Sequence, residues 1–414
     1  MTRVVLKEWK FSDPLPIDKG DIPTLRRRLK DLAEVAYDLD GVKLRARSHV
    51  GYIPVDEDLQ LVVTPKIENF NDFFYVLEQA GVTPEYRRWM DKSVFAGLDK
   101  SQRQNAPEFL IRVLLHKLRL LKRDGFYRKA LPRSEIRTSV KGKIELTNTA
   151  RRCLIRGKPH QVHCAYFDPT VDTIENRFIK YTIWQLIHSG LPKDIEQELR
   201  AFWRIFASIP FDPKERYLMT EIERIIRRRR LPSSRSYYID ILSLCFLIIQ
   251  NSTVIVKDGE DVRLSAFAID MAKMFERYVR NVLFEALHPD FSVLDGNQER
   301  RPLFKDADKP AIPPDIMIYS ARECLVVADT KYKDKDLPSV DDWYQAIAYT
   351  LALDVPAGVL IYSAGTPKPP QAFHIGDRTM WVYYFPLQQP KEQEAALIDF
   401  LRERANEALL AEER

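Results

Sequence analysis

The stretch "PPDIMIYSARECLVVADTKYK", residues 313–333, predicts two buried strands joined by a tight turn near residue 322. The first strand opens at Asp315, and the second ends in Asp329, Thr330 and Lys331. Side chains alternate faces along a strand, so Asp329 and Lys331 share one face and Thr330 points to the other. Two acids and a lysine therefore stand on strands that are otherwise apolar.

A turn at this point places Asp315 opposite Asp329, and opposed residues have Cβ atoms ~4.5–5.5 Å apart. Two carboxylates this close resist ionising together. A divalent cation such as Mg²⁺, which takes one or two carboxylates and keeps water and phosphate oxygens, resolves the conflict. Lys331 would then position a water or stabilise a charged transition state. The simpler alternative is an ion pair between Lys331 and Asp329 at a strand end.

Neighbouring helices offer further candidates. Glu276 flanks the apolar stripe of a predicted helix over residues 264–287, from which it could reach the carboxylate pair. It could equally form an exposed pair with Arg280 one turn away. On the next helix Gln345 and Tyr349 are four residues apart and share a face. Gln345 could bind a phosphate or a metal-bound water, or it could be an ordinary surface glutamine.

At 414 residues the chain is long enough for two or three domains. We expect an α+β multidomain protein. Its parts are a β-rich N-terminal region with helices over residues 1–160, a helical connecting region over 161–255 and an α/β domain over 256–414. Within the first part, the apolar spacing of residues 24–39 predicts one helix.

Positive charge is concentrated in one part of the chain. Residues 103–158 hold 16 Lys or Arg against four acids. Such a surplus favours a polyanionic partner, although a solvated surface is the alternative. We expect contact with DNA or a protein partner from this segment. The candidate residues are Arg119, Lys122, Arg123, Arg128, Lys129, Lys141, Lys143, Arg151 and Arg152.

Targeting signals and disulfide patterns give no sign of export. The four cysteines are far apart in sequence and form no C-x-x-C pair. The longest apolar run, residues 241–249, is too short to cross a bilayer, and the N-terminus has no apolar signal core. We therefore expect a cytoplasmic protein without a membrane segment.

The site residues together resemble the PD-(D/E)xK nuclease superfamily. The resemblance lies in Pro314–Asp315, in Asp329-x-Lys331 and in a helix glutamate upstream. The Gln-x-x-x-Tyr helix that follows resembles the RecB-type branch. Four other blocks occur in the order seen in McrC proteins, the nuclease subunits of McrBC-type modification-dependent restriction systems. These are "HVGYIPVDEDLQLVVTPKI" (49–67), "SVKGKIEL" (139–146), "CAYFDPTVDTIENRFIKYTI" (164–183) and "DMAKMFERYV" (270–279).

The resemblance implies a Mg²⁺-dependent endonuclease of double-stranded DNA that contains a modified base. It implies a partner, an McrB-like AAA+ GTPase hexamer, that binds the GTP and is stimulated by this chain. Asp315, Asp329 and Glu276 would be metal ligands, and Lys331 would be the catalytic lysine. Gln345 and Tyr349 would complete the catalytic set. The chain has no G-x-x-x-x-G-K-[ST] motif, which agrees with nucleotide binding by the partner.

Two alternatives remain open at this point. One is a stand-alone RecB-like DNA repair nuclease. The other is a non-catalytic DNA-binding or ring-activating adaptor, against which the presence of Asp315, Asp329 and Lys331 argues.

Overall fold

A computed structural model describes most of the chain. The described residues are 2–56, 58–81, 106–228, 231, 235, 237–256, 263–299, 301–304, 307–321, 323–333, 337–364 and 366–412. The helices in these ranges are α1 Ile22–Leu29, α2 Phe70–Gln79, α3 Ala106–Asp124, α4 Leu146–Thr149, α5 Ile174–Ile187, α6 Lys193–Ile205, α7 Met219–Arg228, α8 Tyr237–Gln250, α9 Met271–Leu287, α10 Val340–Ala352 and α11 Pro390–Glu412.

The strands of the same ranges form separate sheets. They are β1 Thr2–Lys7, β2 Ala33–Tyr37, β3 Val42–Ala46, β4 His49–Pro54, β5 Leu59–Thr64, β6 Lys129–Arg137, β7 Lys143–Ile144, β8 Val162–Thr170, β9 Ser252–Val256, β10 Arg263–Asp270, β11 Ser292–Leu294, β12 Arg301–Phe304, β13 Ala307–Ile312, β14 Ile316–Ser320, β15 Glu323–Lys331, β16 Ala357–Ala364, β17 Lys368–Ile375 and β18 Arg378–Pro386.

The chain divides into two compact units, one formed by Met1–Ile111 with Asn251–Arg414 and the other by Arg112–Gln250. The predicted α+β multidomain class is confirmed. The division differs from the three consecutive segments predicted from sequence. The difference arises because β9 and β10, far along the chain, belong to the same sheet as the N-terminal strands.

The first unit contains a five-stranded sheet in the order β1-β5-β4-β10-β9. Its β1 and β5 are parallel, and β4 is antiparallel to both β5 and β10. Helix α1 and the β2–β3 pair pack on this sheet through a core of buried aliphatic residues. In α1 the leucines at i and i+4, Leu25 and Leu29, face that core, while Arg26–Arg28 form the last turn.

The first unit also contains a six-stranded mixed sheet in the order β11-β14-β15-β16-β18-β17. Strands β15, β16 and β18 are parallel, and α10 connects β15 to β16. Helix α10 packs over β16 and β18 through Ala346, Leu360, Tyr362 and Val382. The apolar, near-continuous sequences of β14 to β16 are typical of strands buried on both faces.

The second unit combines a three-stranded sheet, β6-β8-β7, with helices α5 to α8. Strand β6 is solvent-exposed along most of its length. Thr173 is the N-cap of helix α5, and its side chain accepts a hydrogen bond from the backbone N of Asn176. Buried Asn176 in turn accepts a hydrogen bond from Tyr238 on α8 (2.7 Å). None of the described helices has the length and apolarity needed to cross a membrane.

Two predicted helices are partly wrong. The helix predicted over residues 24–39 ends at Leu29, and Ala33–Tyr37 is a strand paired with β3. The helix predicted over 264–287 begins only at Met271, because the preceding residues form β10 and pair with β4. Both segments have apolar residues that fit helical spacing, but pairing with a distant strand decides their structure.

Gly51 provides a test of the join between the N-terminal strands and β10. It is paired with Ala268 at a φ of +145°, and a Cβ there would lie 2.0 Å from the carbonyl oxygen of Phe267. We expect Gly51→Ala to lower the free energy of unfolding by about 3 kcal/mol, because the strands must separate. Thermal and denaturant unfolding measure this change.

Gly376→Ala is the matched control. Gly376 also has positive φ (+60°), but no atom lies within 4 Å of a Cβ placed there. We expect this control to lose only about 1 kcal/mol, from backbone conformation alone. Equal losses in the two variants would contradict the close pairing of β4 with β10.

Candidate active site

The opening stretch forms the predicted strands β14 and β15. Ile316 pairs with Ala328 and Ile318 with Val326, in the register expected from sequence. The register shifts only beyond Ile318, close to the turn and away from the acids. Continued by one residue, the register places Asp315 opposite Asp329, as predicted.

Asp315 is fixed by the strand beside it. Its Oδ2 accepts hydrogen bonds from the backbone N (2.8 Å) and the Oγ1 (2.7 Å) of Thr330. Burial raises the pKa of this carboxyl, although the two bonds from Thr330 and the charge of Lys331 oppose the rise. Thr330 is thus a site residue for which sequence reasoning assigned no role.

Asp329 is the more deeply buried acid, with 3% of its surface exposed. Burial first, and then the charge of Asp315, raise the pKa of its carboxyl to about 7, against the opposing effect of Lys331. Oδ2 is in ion-pair contact with Nζ of Lys331. Within the described residues this buried oxygen has no partner in hydrogen-bond geometry. The pair of acids therefore has unused ligand capacity.

Lys331 connects the acids to α10. Its Nζ donates to Oε1 of Gln345 (2.7 Å), and Nε2 of Gln345 donates to the hydroxyl of Tyr349 (2.6 Å). Burial raises the pKa of Tyr349 to about 12, so its hydroxyl keeps its proton near neutral pH. The structure thus brings Lys331, Gln345 and Tyr349 into one chain of contacts beside Asp329.

Glu276 pairs with Arg280 one turn away, and the pair is more buried than the exposed one considered from sequence. Its Oε1 accepts from Arg280 (3.0 Å), the simple helical pair, and from Asn297 (3.2 Å). Yet burial and then the charge of Asp315 raise its pKa, which places it within electrostatic reach of the acid pair. Its predicted role as a metal ligand stays a prediction.

Asp342 is a buried acid that sequence reasoning missed. It is the third residue of α10 and forms a capping box with Ser339. Its carboxylate also accepts from Lys333 (2.6 and 2.8 Å) and from Tyr362 (2.5 Å), and it lies 3.9 Å from Nζ of Lys331. Burial would raise its pKa, but these hydrogen bonds prevail and hold it well below its usual range. The S-x-x-D spacing before an apolar helix is the signal that could have revealed it.

The donor set suits a hard divalent cation held by few protein ligands. Across the part of the chain that the structure describes, no group of three or more His, Cys, Asp or Glu residues is arranged to hold a metal. Asp315 and Asp329 offer two carboxylates, which is the number Mg²⁺ usually takes from a protein. A carboxylate oxygen has two lone pairs, so Oδ2 of Asp329 could bind such an ion beside its ion pair with Lys331.

The predicted basic contact residues all lie in the second unit or at its start. Four form ion pairs, namely Arg119 with Glu198, Arg123 with Asp124, Lys129 with Glu175 and Lys141 with Asp168. The others are exposed: Lys122, Arg128, Lys143, Arg151 and Arg152. Large apolar side chains are exposed in the same unit, among them Leu146, Ile155 and Phe167.

Comparison with solved structures defines the class of fold. A chain of the refined half-complex from a tetradecameric assembly of Thermococcus gammatolerans McrB AAA+ hexamers with bound McrC is similar over 96% of this chain and 100% of that chain. The TM-score is 0.62 at 17% sequence identity. A chain of the cryo-EM structure of the Thermococcus gammatolerans McrBC complex gives a TM-score of 0.49 at 17% identity, covering 69% of this chain and 88% of that one.

Sequence comparison identifies the family. Residues 44–363 match the family described as McrBC 5-methylcytosine restriction system component. The match covers most of the chain, so the chain belongs to this family, and the resemblance to McrC proteins is confirmed. No curated protein matches the sequence.

The opposite pKa shifts of two neighbouring acids give a test without any assay of activity. Because burial and Asp315 raise the pKa of Asp329 to about 7, ionisation of Asp329 should oppose folding increasingly as the pH rises from about 4 to about 7. We expect Asp329→Asn to raise stability at pH 8 without divalent ions, by on the order of 2 kcal/mol. The gain should vanish at pH 4. Thermal unfolding across pH measures it.

Asp342→Asn is the control with the opposite sign. The lowered pKa of Asp342 gives stability that is present above its unfolded pKa and is lost as the pH falls through the folded value. This variant should therefore be less stable at pH 8. If Asp329→Asn is also less stable at pH 8, Asp329 is a structural ion-pair partner of Lys331.

Proposed function

We propose that this chain is the nuclease subunit of an McrBC-type restriction system, a Mg²⁺-dependent endonuclease of the PD-(D/E)xK class that cuts DNA phosphodiester bonds. The observation that carries the proposal is the convergence of Asp315, Asp329 and Lys331 at the adjoining ends of β14 and β15. Family membership supports it independently.

Burial of two acids beside each other is costly unless a positive charge joins them. Asp315 and Asp329 would hold Mg²⁺, with Glu276 as a further acid beside them. When bound, the ion would acidify a water and neutralise charge that develops on the scissile phosphate. Oδ2 of Asp315 is already fixed by Thr330, which leaves its other oxygen to bind.

Lys331 would orient the attacking water and stabilise negative charge in the transition state. Its ammonium is held between Asp329 and Gln345, so it points to the same place as the acids. Tyr349 accepts from Nε2 of Gln345 and so orients the amide with its oxygen toward Lys331. Pre-positioned charge of this kind needs little reorganisation during the reaction.

The partner in the proposal is an McrB-like AAA+ GTPase hexamer. The solved assembly to which this chain is similar is described as McrB AAA+ hexamers with bound McrC. The present sequence has no phosphate-binding loop motif, so the partner would bind and hydrolyse GTP. This chain would stimulate that hydrolysis. Membership in the family favours this assembly over a stand-alone RecB-like repair nuclease.

The second unit would contribute the contact with DNA or with the partner ring. Its exposed basic residues Lys143, Arg151 and Arg152 lie near the exposed apolar residues Leu146 and Ile155 in sequence. Lysine and arginine bind the phosphates of DNA whatever its base sequence. This suits a subunit that leaves base recognition to another protein.

Asp329→Ala tests the nuclease assignment. With an McrB-like partner, Mg²⁺ and DNA containing 5-methylcytosine, we expect cleavage to fall by at least about 10³-fold, because the buried ligand is lost. Stimulated GTP hydrolysis should stay intact. Gel assays of cutting and phosphate release measure the two activities.

Asp341→Ala is the matched control, since Asp341 is an exposed acid on the first turn of α10. It should keep both activities. Loss of both activities in Asp329→Ala would indicate a structural role. Cleavage of unmodified DNA by the isolated chain without GTP would favour the stand-alone repair nuclease. Cleavage by Asp329→Ala at the normal rate would favour the non-catalytic adaptor.

Charge reversal tests the basic segment. We expect the triple variant Lys143→Glu, Arg151→Glu, Arg152→Glu to weaken binding of DNA or of the partner. If these side chains bind phosphates, the slope of log affinity against log salt should become shallower by about 0.9 for each phosphate that the variant no longer neutralises. Titrations at several salt concentrations measure this slope.

The control reverses Arg224 and Arg227, which form ion pairs within α7 of the same unit. It should leave both affinities unchanged. Unchanged binding of DNA and of the partner in the triple variant would show that the basic surplus is a solvated surface.

A further inference from the structure

A second buried polar cluster contacts the chain just after the candidate catalytic residue Lys331. It consists of Glu8, Lys66, Tyr332 and Ser363. Glu8 and Lys66 follow the parallel strands β1 and β5, where the backbone N of Glu8 donates to the carbonyl of Thr64 (3.1 Å). The ends of two N-terminal strands thus meet the end of β15.

Lys66 holds the backbone on both sides of this junction. Its Nζ donates to Oγ of Ser363 (2.6 Å), to the carbonyl of Ser363 (3.5 Å) and to the carbonyl of Lys333 (3.1 Å). The same ammonium lies 3.9 Å from the ring centroid of Tyr332. Oγ of Ser363 in turn approaches the carbonyl of Lys331 (3.4 Å). Lys66 therefore contacts β16 and the two residues that follow Lys331.

Glu8 fixes Lys66 and Tyr332 from the opposite side. Its Oε2 accepts from the backbone N of Lys66 (2.8 Å) and from the hydroxyl of Tyr332 (2.8 Å). Glu8 is 2% exposed, and burial raises the pKa of its carboxyl to about 7. An acid is costly in such a place, and stability alone would favour an apolar residue there. The cluster would therefore serve to fix one particular arrangement of these strand ends.

We infer that Lys66, held by Glu8, is a positioning residue for Lys331: by binding the carbonyls of Lys333 and Ser363 it fixes the end of β15 and so the direction of the catalytic ammonium. The inference rests on the proposed nuclease function and adds to it a residue of the N-terminal sheet. A displacement of about 1 Å at a catalytic group is enough to reduce a rate about 100-fold.

The test compares Lys66→Met with Lys7→Met in the full chain, with an McrB-like partner, Mg²⁺ and DNA containing 5-methylcytosine. Methionine retains most of the aliphatic stem of lysine and removes the ammonium. Lys7 ends β1, and among the described residues its ammonium forms an exposed ion pair with Glu68. We expect Lys66→Met to lower kcat for cleavage by about ten- to 100-fold with KM for DNA nearly unchanged. Lys7→Met should behave as the unaltered protein.

Two further measurements separate positioning from loss of fold. Lys66→Arg keeps the charge and its donors and should restore most of the cleavage rate, and stimulated GTP hydrolysis should be normal in every variant. Where Lys66→Met melts early, Ser363→Ala replaces it, because this change removes the shortest bond of Lys66 and keeps the charge. A normal kcat in folded Lys66→Met or Ser363→Ala overturns the inference.

Lys331→Ala in the same assay distinguishes failure of the proposed nuclease function from failure of the positioning role of Lys66. If Lys331→Ala still cleaves, the proposed nuclease function fails. If Lys331→Ala is inactive while Lys66→Met and Ser363→Ala cleave normally, only the positioning role of Lys66 fails.

Discussion

The burial of Asp329 beside Asp315 is the constraint on which the rest of this structure depends. Burial raises the pKa of both carboxyls, and the charge of Asp315 raises that of Asp329 further. Removing a carboxylate from water costs several kcal/mol even after relaxation. Lys331 offsets part of that cost through its ion pair with Asp329. A fold built only for stability would place apolar residues there, and the cation binding that we propose gives the two acids a reason.

The neighbouring elements make this arrangement rigid. The capping box of Ser339 and Asp342 fixes where α10 begins, and the next turn of that helix then places Gln345 against Lys331. Asp342 also binds Lys333, on the chain just beyond β15. On the other side Asp270 ends β10 and caps α9, which carries Glu276. These two caps therefore set where the helices that carry Glu276 and Gln345 begin.

Sequence reasoning was accurate where local rules apply. The register of Ile316 with Ala328 follows from one turn and the alternation of faces, and the contact of Gln345 with Tyr349 follows from helical spacing. It failed at β10, because pairing with β4 across some 200 residues leaves no local signal. It also missed Glu8 and Lys66. In a sequence, a buried charged residue looks the same as one on the surface.

The long-range pairing also joins the candidate catalytic segment to the N-terminal strands. β9 and β10 complete a sheet begun by β1, β5 and β4, and the backbone N of Met271 at the start of α9 donates to the carbonyl of Ser48 (2.8 Å). The position of Glu276 therefore depends on residues from both sequence parts of the first unit. Residues 112–250 are inserted between those parts and bury their own apolar core. The unit that we propose to meet DNA or a partner therefore has a core of its own, separate in sequence from the core around the acids.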